Sequence, residues 1–224
     1  MGEGLQAKCV DIAEVLRDAR LGDLRHLRET GADYDSLHDA TVALFDLLAQ
    51  RDVDFVLVGG MAMLQYVSGR NTRDIDLLMA LADLERLSEF VIEAQDRDFA
   101  RVVFRGVQID ILLTANELFA AVRERYATRR EFGGKELPCA TPDGLVLLKL
   151  FALPSLYRQG DASRIALYEA DIRMLLGDYR IDIEQLLDVL TDHLLASDIR
   201  ELRTLVAGIR SDIERVRENP FGSE

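Results

Sequence analysis

The chain has 224 residues, 49% of them hydrophobic, and a formal net charge of −13. That apolar content excludes a disordered chain and suffices for one sizeable core with a helical extension. The acidic balance excludes wide non-specific attachment to nucleic acid, although a local basic patch would still dock an RNA end, and it leans towards cationic or protein partners.

Residues 5–28 carry Ile12, Leu16 and Ala19 at helical spacing between Asp, Glu and Arg, which predicts an amphipathic helix broken near Gly22 and ended at Gly31. Residues 36–50 predict a second helix, with Ser36 as its cap and a broad apolar face through Val42, Leu44, Phe45, Leu47 and Leu48. Phe55-Val56-Leu57-Val58 is a continuous apolar run halted by Gly59-Gly60, the pattern of a buried strand that turns sharply into a helix over 61–67. Residues 74–79 alternate carboxylate and aliphatic before turning wholly apolar, so a second strand is expected there. Helical spacing returns over 82–95 through Leu84, Leu87, Phe90 and Val91. Arg105-Gly106 reads as a tight turn between strands at 99–104 and 107–113, followed by a helix over 116–125.

Residues 126–139 hold a Gly133-Gly134 turn between two polar extended runs, which predicts an edge hairpin. Pro142 opens an apolar helix over 144–153 with Thr141 as cap, and Pro154 ends it in a loop over 154–162. Three helices are expected after that, at 163–176, 183–195 and 198–217. The last presents a stripe of Ile199, Leu202, Val206, Ile209, Ile213 and Val216 that either closes the core or pairs with a second copy. No run approaches the ~20 apolar residues of a membrane span. Glu3, Lys8 and Asp11 stand where a signal core would be, so a cytoplasmic chain is expected. Cys9 and Cys139 lie far apart without Cys or His partners, which predicts packed thiols, and His26, His38 and His193 are isolated. The expected organisation is an N-terminal helical extension at 1–35, a core at 36–140 and a helical C-terminal region at 141–224. No internal repeat is present.

Side chains at i and i+2 of a strand point the same way, so Asp74 and Asp76 present two carboxylates side by side while Ile75 and Leu77 face the other layer. Asp110 stands alone among the aliphatic residues Ile109 and Ile111. Pairing of its strand with the Asp76 strand would bring a third acid to the same face. Three clustered anions call for a divalent cation, and magnesium is the expected ion, with manganese as its substitute. The Gly59-Gly60 turn lets backbone approach a phosphate, Arg70 and Arg73 offer neutralising charge, and Thr72 offers a local hydrogen bond.

Val58-Gly59-Gly60, Asp74-Ile75-Asp76 and Ile109-Asp110-Ile111, taken together, resemble the DNA polymerase β nucleotidyltransferase superfamily. The stretch 56–79, with Gly59-Gly60-Met61-Ala62 and Arg70-Asn71-Thr72-Arg73-Asp74-Ile75-Asp76, is most similar to the small prokaryotic nucleotidyltransferases of toxin–antitoxin and abortive-infection systems. The resemblance covers residues 40–178 and implies an α+β (α/β) fold, a small mixed sheet flanked by helices. It implies transfer of a nucleotide from an NTP to an acceptor hydroxyl, with Asp74, Asp76 and Asp110 as metal-binding and catalytic residues. Gly59, Gly60, Arg70 and Thr72 would meet the nucleotide. Leu148-Lys149 and Asp171-Ile172 match two further family features, so that Lys149 would contact the nucleotide phosphates and Asp171 would orient it. Met61 departs from a serine found in some relatives, and Tyr168 from an acid or base. The implied acceptor is a tRNA end or a partner protein. The acidic charge also suits a cationic aminoglycoside. A binding module that keeps the fold without transfer is the reading from another class.

Overall fold

The computed structural model describes residues 34–68, 70, 72 and 74–218. The helix expected over 5–28, together with Cys9, His26 and Arg73, lies outside these residues. The described chain divides into two compact units between Thr141 and Pro142.

The first unit is built on one seven-stranded mixed sheet. In chain order it contains α1 (Tyr34–Gln50), β1 (Phe55–Val58), α2 (Gly59–Met63), β2 (Ile75–Met79), α3 (Leu81–Glu85), β3 (Val91–Gln95), β4 (Phe99–Phe104), β5 (Val107–Leu113), α4 (Glu117–Arg125), β6 (Ala127–Phe132) and β7 (Lys135–Ala140). Across the sheet the strands run β3-β4-β5-β2-β1-β7-β6. The two central strands carry the apolar runs, since every residue of β1 is buried, as are Ile75, Leu77, Leu78 and Met79 of β2. Ile109, Ile111 and Leu113 of β5 and Ala100, Val102 and Phe104 of β4 bury on one face. The alternate residues Asp110 and Arg101 stand on the other, as the two-residue period of a strand demands. Helix α1 covers the sheet with Leu44, Phe45 and Leu48, and Phe45 stacks on Phe55 at 6.2 Å between ring centroids.

Several expectations need correction, among them the helix expected over 183–195, which stops at Leu190. Helix α1 begins at Tyr34, so Ser36 lies inside it and is not its cap. The helix after β1 begins at Gly59 and ends at Met63, before residues 64–66 turn. The segment 82–95 is not one helix, because only Leu81–Glu85 is helical and Val91–Gln95 forms the edge strand β3. Leu84, Leu87 and Phe90 are indeed buried. The spacing carried on through Val91 and Ile92, two β-branched residues that the pairing with β4 claims for the sheet. In the second unit, the helix expected to stop at Pro154 runs on to Gln159.

The second unit is helical: α5 (Pro142–Gln159), α6 (Ala162–Asp178), α7 (Ile183–Leu190) and α8 (Ala196–Glu218). Pro154 lacks the amide that would bond the carbonyl one turn back, yet Leu153, Pro154 and Leu156 are buried and the helix continues past it. Its end comes at Gly160, with φ of 70°, where the Asp161 amide donates to Leu156 O at 3.2 Å and the Gly160 amide to Tyr157 O at 3.1 Å. That paired closure is a Schellman motif. Asp161 and Asp182 cap α6 and α7 by accepting from Arg164 N and Gln185 N, each at 3.1 Å. Along α8, Ile199, Leu202, Val206 and Ile209 are buried while Val216 is exposed, so the stripe closes this unit along most of its length. Among the described residues no helix is long and apolar enough to cross a membrane.

Candidate active site

The first unit is α+β, and its site-forming residues come from four adjacent strands. Strands β2 and β5 are parallel neighbours in which Asp76 is the direct partner of Asp110. Partners in a ladder project to the same face, so these two carboxylates stand side by side on the sheet. Asp74 precedes β2 by one residue and is exposed. Beyond β5, the antiparallel strand β4 puts Arg101 opposite Asp110. One rung of the sheet therefore reads Arg101, Asp110, Asp76.

The guanidinium of Arg101 binds Asp110 at two points, Nε to Oδ1 at 2.7 Å and Nη2 to Oδ2 at 3.1 Å. The hydrogen bonds and charge of Asp110 hold the Arg101 pKa above its ordinary value, with smaller contributions from Glu93 and Asp74. Among the described residues, no three carboxylate, imidazole or thiol side chains converge closely enough to be joined on one ion. Asp110 is turned to Arg101, while Asp76 is turned to the glycine turn.

At that turn, Gly59 has φ of +63°, and a Cβ added there would sit 1.9 Å from Asp76 Oδ2 and 2.4 Å from its Cγ. A Cβ on Gly60 would sit 2.4 Å from Thr72 Oγ1 and 3.4 Å from an Arg70 guanidinium nitrogen. Gly59, Gly60, Arg70, Thr72 and Asp76 are thus brought together, and the glycines are there because three side chains fill the space that a fourth would need. The Gly60 amide points at Asp76 Oδ2 at 3.4 Å, so this amide faces the carboxylate. Met61, where the sequence departs from the serine of some relatives, is buried in the core.

Replacing Gly59 by alanine should destabilise the chain by about 2–3 kcal/mol, through a left-handed backbone and an overfilled contact with Asp76. Urea denaturation measures this. An unchanged midpoint would mean that the Asp76 carboxylate does not occupy the space over Gly59.

At the end of β7, Tyr66 donates to Ala140 O at 2.9 Å, and the Arg130 guanidinium lies 5.1 Å from the Tyr66 ring centroid. Burial, first of all, pushes the Cys139 thiol up to about 12 and the Tyr66 hydroxyl well above its ordinary value. Cys139 is therefore a packed thiol and not a nucleophile. From the thiol's ordinary value of 9 up to about 12, the unfolded chain gives up a proton that the native chain keeps. Stability from this cluster is then complete below pH 9 and falls as pH rises through that window. A Cys9→Ser chain should show no reaction of Cys139 with a thiol reagent until it is unfolded, and its urea midpoint should drop on the alkaline side. Rapid native labelling would contradict the burial argument.

Lys149 and Asp171 belong to the second unit. Lys149 Nζ donates to Asp171 Oδ2 at 2.7 Å, with side chains 6% and 0% exposed, and it also lies 4.5 Å from the centroid of the Tyr168 ring. Tyr168, the departure noted in the sequence, thus supplies a π face to the same ammonium.

Sequence reasoning missed Arg101. The signal was present: a two-residue turn at Arg105-Gly106, with φ of 49° and 80°, makes Phe104 the partner of Val107 and so Arg101 the partner of Asp110.

No protein-family model and no curated protein matches this sequence. Solved structures of similar outline include an antigenic nucleotidyltransferase-like protein from Paracoccidioides brasiliensis, at 14% identity and a TM-score of 0.49 over 82% of this chain and 91% of that one. The antibiotic-resistance factor ANT(2'')-Ia in solution aligns at 13% identity and a TM-score of 0.49, over 82% of this chain and 99% of its own. Its crystal structure in complex with adenylyl-2''-tobramycin aligns at 13% identity and 0.47, over 78% and 98%. None of these likenesses assigns an activity to this chain.

Proposed function

We propose that this chain is a nucleotidyltransferase in which an acceptor hydroxyl attacks the α-phosphate of an NTP in line, so that the nucleotide is transferred and pyrophosphate leaves. The observation that carries the reading is the register of β2 on β5, Asp76 beside Asp110, with a glycine turn shaped around the Asp76 carboxylate. Hard carboxylate oxygens on one sheet face fit magnesium or manganese. Asp74 and Asp76 would hold the ion, joined by Asp110 once Arg101 yields it. The ion would neutralise the triphosphate and lower the pKa of the acceptor hydroxyl. Asp110 would orient that hydroxyl and receive its proton. Arg70 and Thr72, against Gly60, would meet the phosphates. Lys149, held by Asp171, is by resemblance a further phosphate contact.

For the acceptor we propose a tRNA end or a partner protein of a toxin–antitoxin pair. A small cationic acceptor is the second reading, favoured by the charge of −13. The Arg101 contact on Asp110 favours a third, a fold that recognises a partner and transfers nothing. The test incubates the pure protein with each α-labelled NTP, Mg²⁺ and, separately, total tRNA, cell protein or aminoglycoside. Label in one fraction names the acceptor class. No label in any fraction together with no metal-dependent NTP binding by calorimetry would replace transfer by the binding reading.

A further inference from the structure

Two acids besides Asp110 act on the Arg101 charge, Glu93 and Asp74. Glu93 sits in the irregularity between Ile92 and Ala94, where β3 slips against β4 and Ala94 becomes the partner of Arg101. A bulge of this kind re-aims the side chain that it carries. The pair itself is half-exposed, 44% at Arg101 and 28% at Asp110, so solvent can replace either partner. A two-point guanidinium contact occupies both oxygens of Asp110. A divalent ion needs at least one of the same oxygens.

Resting on the nucleotidyltransferase reading, we infer that Arg101 is a resident counter-ion that competes with the divalent metal for Asp110 and moves towards Glu93 when the metal takes that carboxylate. Arg101 is on this account a positioning residue: it holds Asp110 aimed along the rung, and it sets the metal concentration at which the third carboxylate joins the site. The exchange is cation for cation, so the carboxylate charge stays balanced in both states. Because exposed ion pairs are weak, the penalty on metal binding is modest.

Mn²⁺ alone, titrated into the full-length chain and followed by its electron paramagnetic resonance signal, tests this without turnover. Arg101→Ala should bind Mn²⁺ roughly two- to fivefold more tightly than wild type at low salt. Loss of a nearby positive charge would by itself favour a cation, so the decisive comparison is made in an Asp110→Asn chain. There the gain from Arg101→Ala should shrink to the part that the lost charge alone supplies, since the contested carboxylate is gone. A gain of undiminished size in Asp110→Asn, or no gain at all in the wild-type background, overturns the inference and leaves the nucleotidyltransferase reading standing. Mn²⁺ binding that is absent from wild type and Arg101→Ala alike, or indifferent to Asp76→Asn, overturns the metal site itself and the inference with it. Should the alanine chain fold poorly, Mg²⁺ titration of wild type followed at the Arg101 Nε–H resonance gives the same answer. That resonance should shift with the metal midpoint, and a signal that never moves overturns the exchange.

Discussion

Asp76→Asn should lower nucleotidyl transfer by at least about a hundredfold, because changes even in the outer shell of a metal site cost about ten- to a hundredfold and this residue would be a direct ligand. The substitution is nearly isosteric, so the space over Gly59 stays filled as before. An asparagine oxygen can still accept from the Gly60 amide, as Oδ2 does at 3.4 Å. The thermal midpoint should therefore shift by only a few degrees. What the variant loses is one negative charge beside Asp110, and with it the attraction for a divalent ion. Steady-state transfer with labelled NTP and Mg²⁺ measures the loss, and circular dichroism checks the fold. Wild-type turnover in this variant would remove Asp76 from the mechanism. A large drop in midpoint would make the residue a structural acid.

The parts of this rung that were legible in the sequence are those governed by short-range rules. The two-residue period separates Asp110 from Ile109 and Ile111, and the structure buries the isoleucines and leaves the acid on the other face. Phe55 to Val58 followed by Gly59-Gly60 specifies a buried strand with a sharp exit, and both are present. The choice of β2 as neighbour of β5 was only an assumption in the sequence, because parallel partners are fixed by tertiary packing and not by a local turn. Three strands hydrogen-bonded in a row then decide which charges meet. Helical spacing misled at Val91-Ile92, where an exposed edge strand has no buried face to impose its own period, as the 64% exposure of Val91 attests. Pro154 misled for a different reason: its missing amide costs one hydrogen bond, while burial of Leu153 and Leu156 on either side keeps the helix running to a glycine that can adopt positive φ.

Asp171→Ala should destabilise the chain by about 3–5 kcal/mol, the cost of stranding a buried charge whose partner has been removed. The premise is the burial of the pair: Lys149 is 6% exposed and Asp171 0%, at 2.7 Å, so solvent does little to screen either charge. The Tyr168 ring stays in place under the ammonium and recovers part of the loss. Replacing both partners by apolar residues, Lys149→Met with Asp171→Leu, should return stability close to wild type, because the desolvation penalty goes with the charges. This pair of variants separates two roles that the lysine could have. If Lys149 serves only the helical unit, the double variant is stable and binds NTP as wild type does. If it also meets phosphate, the double variant is stable yet binds NTP at least about tenfold more weakly, as loss of a charge-assisted contact predicts. Urea denaturation reads the first property and calorimetric titration with NTP the second. A single Asp171→Ala chain as stable as wild type would show that Lys149 finds another anion or reaches water, against the burial on which both roles depend.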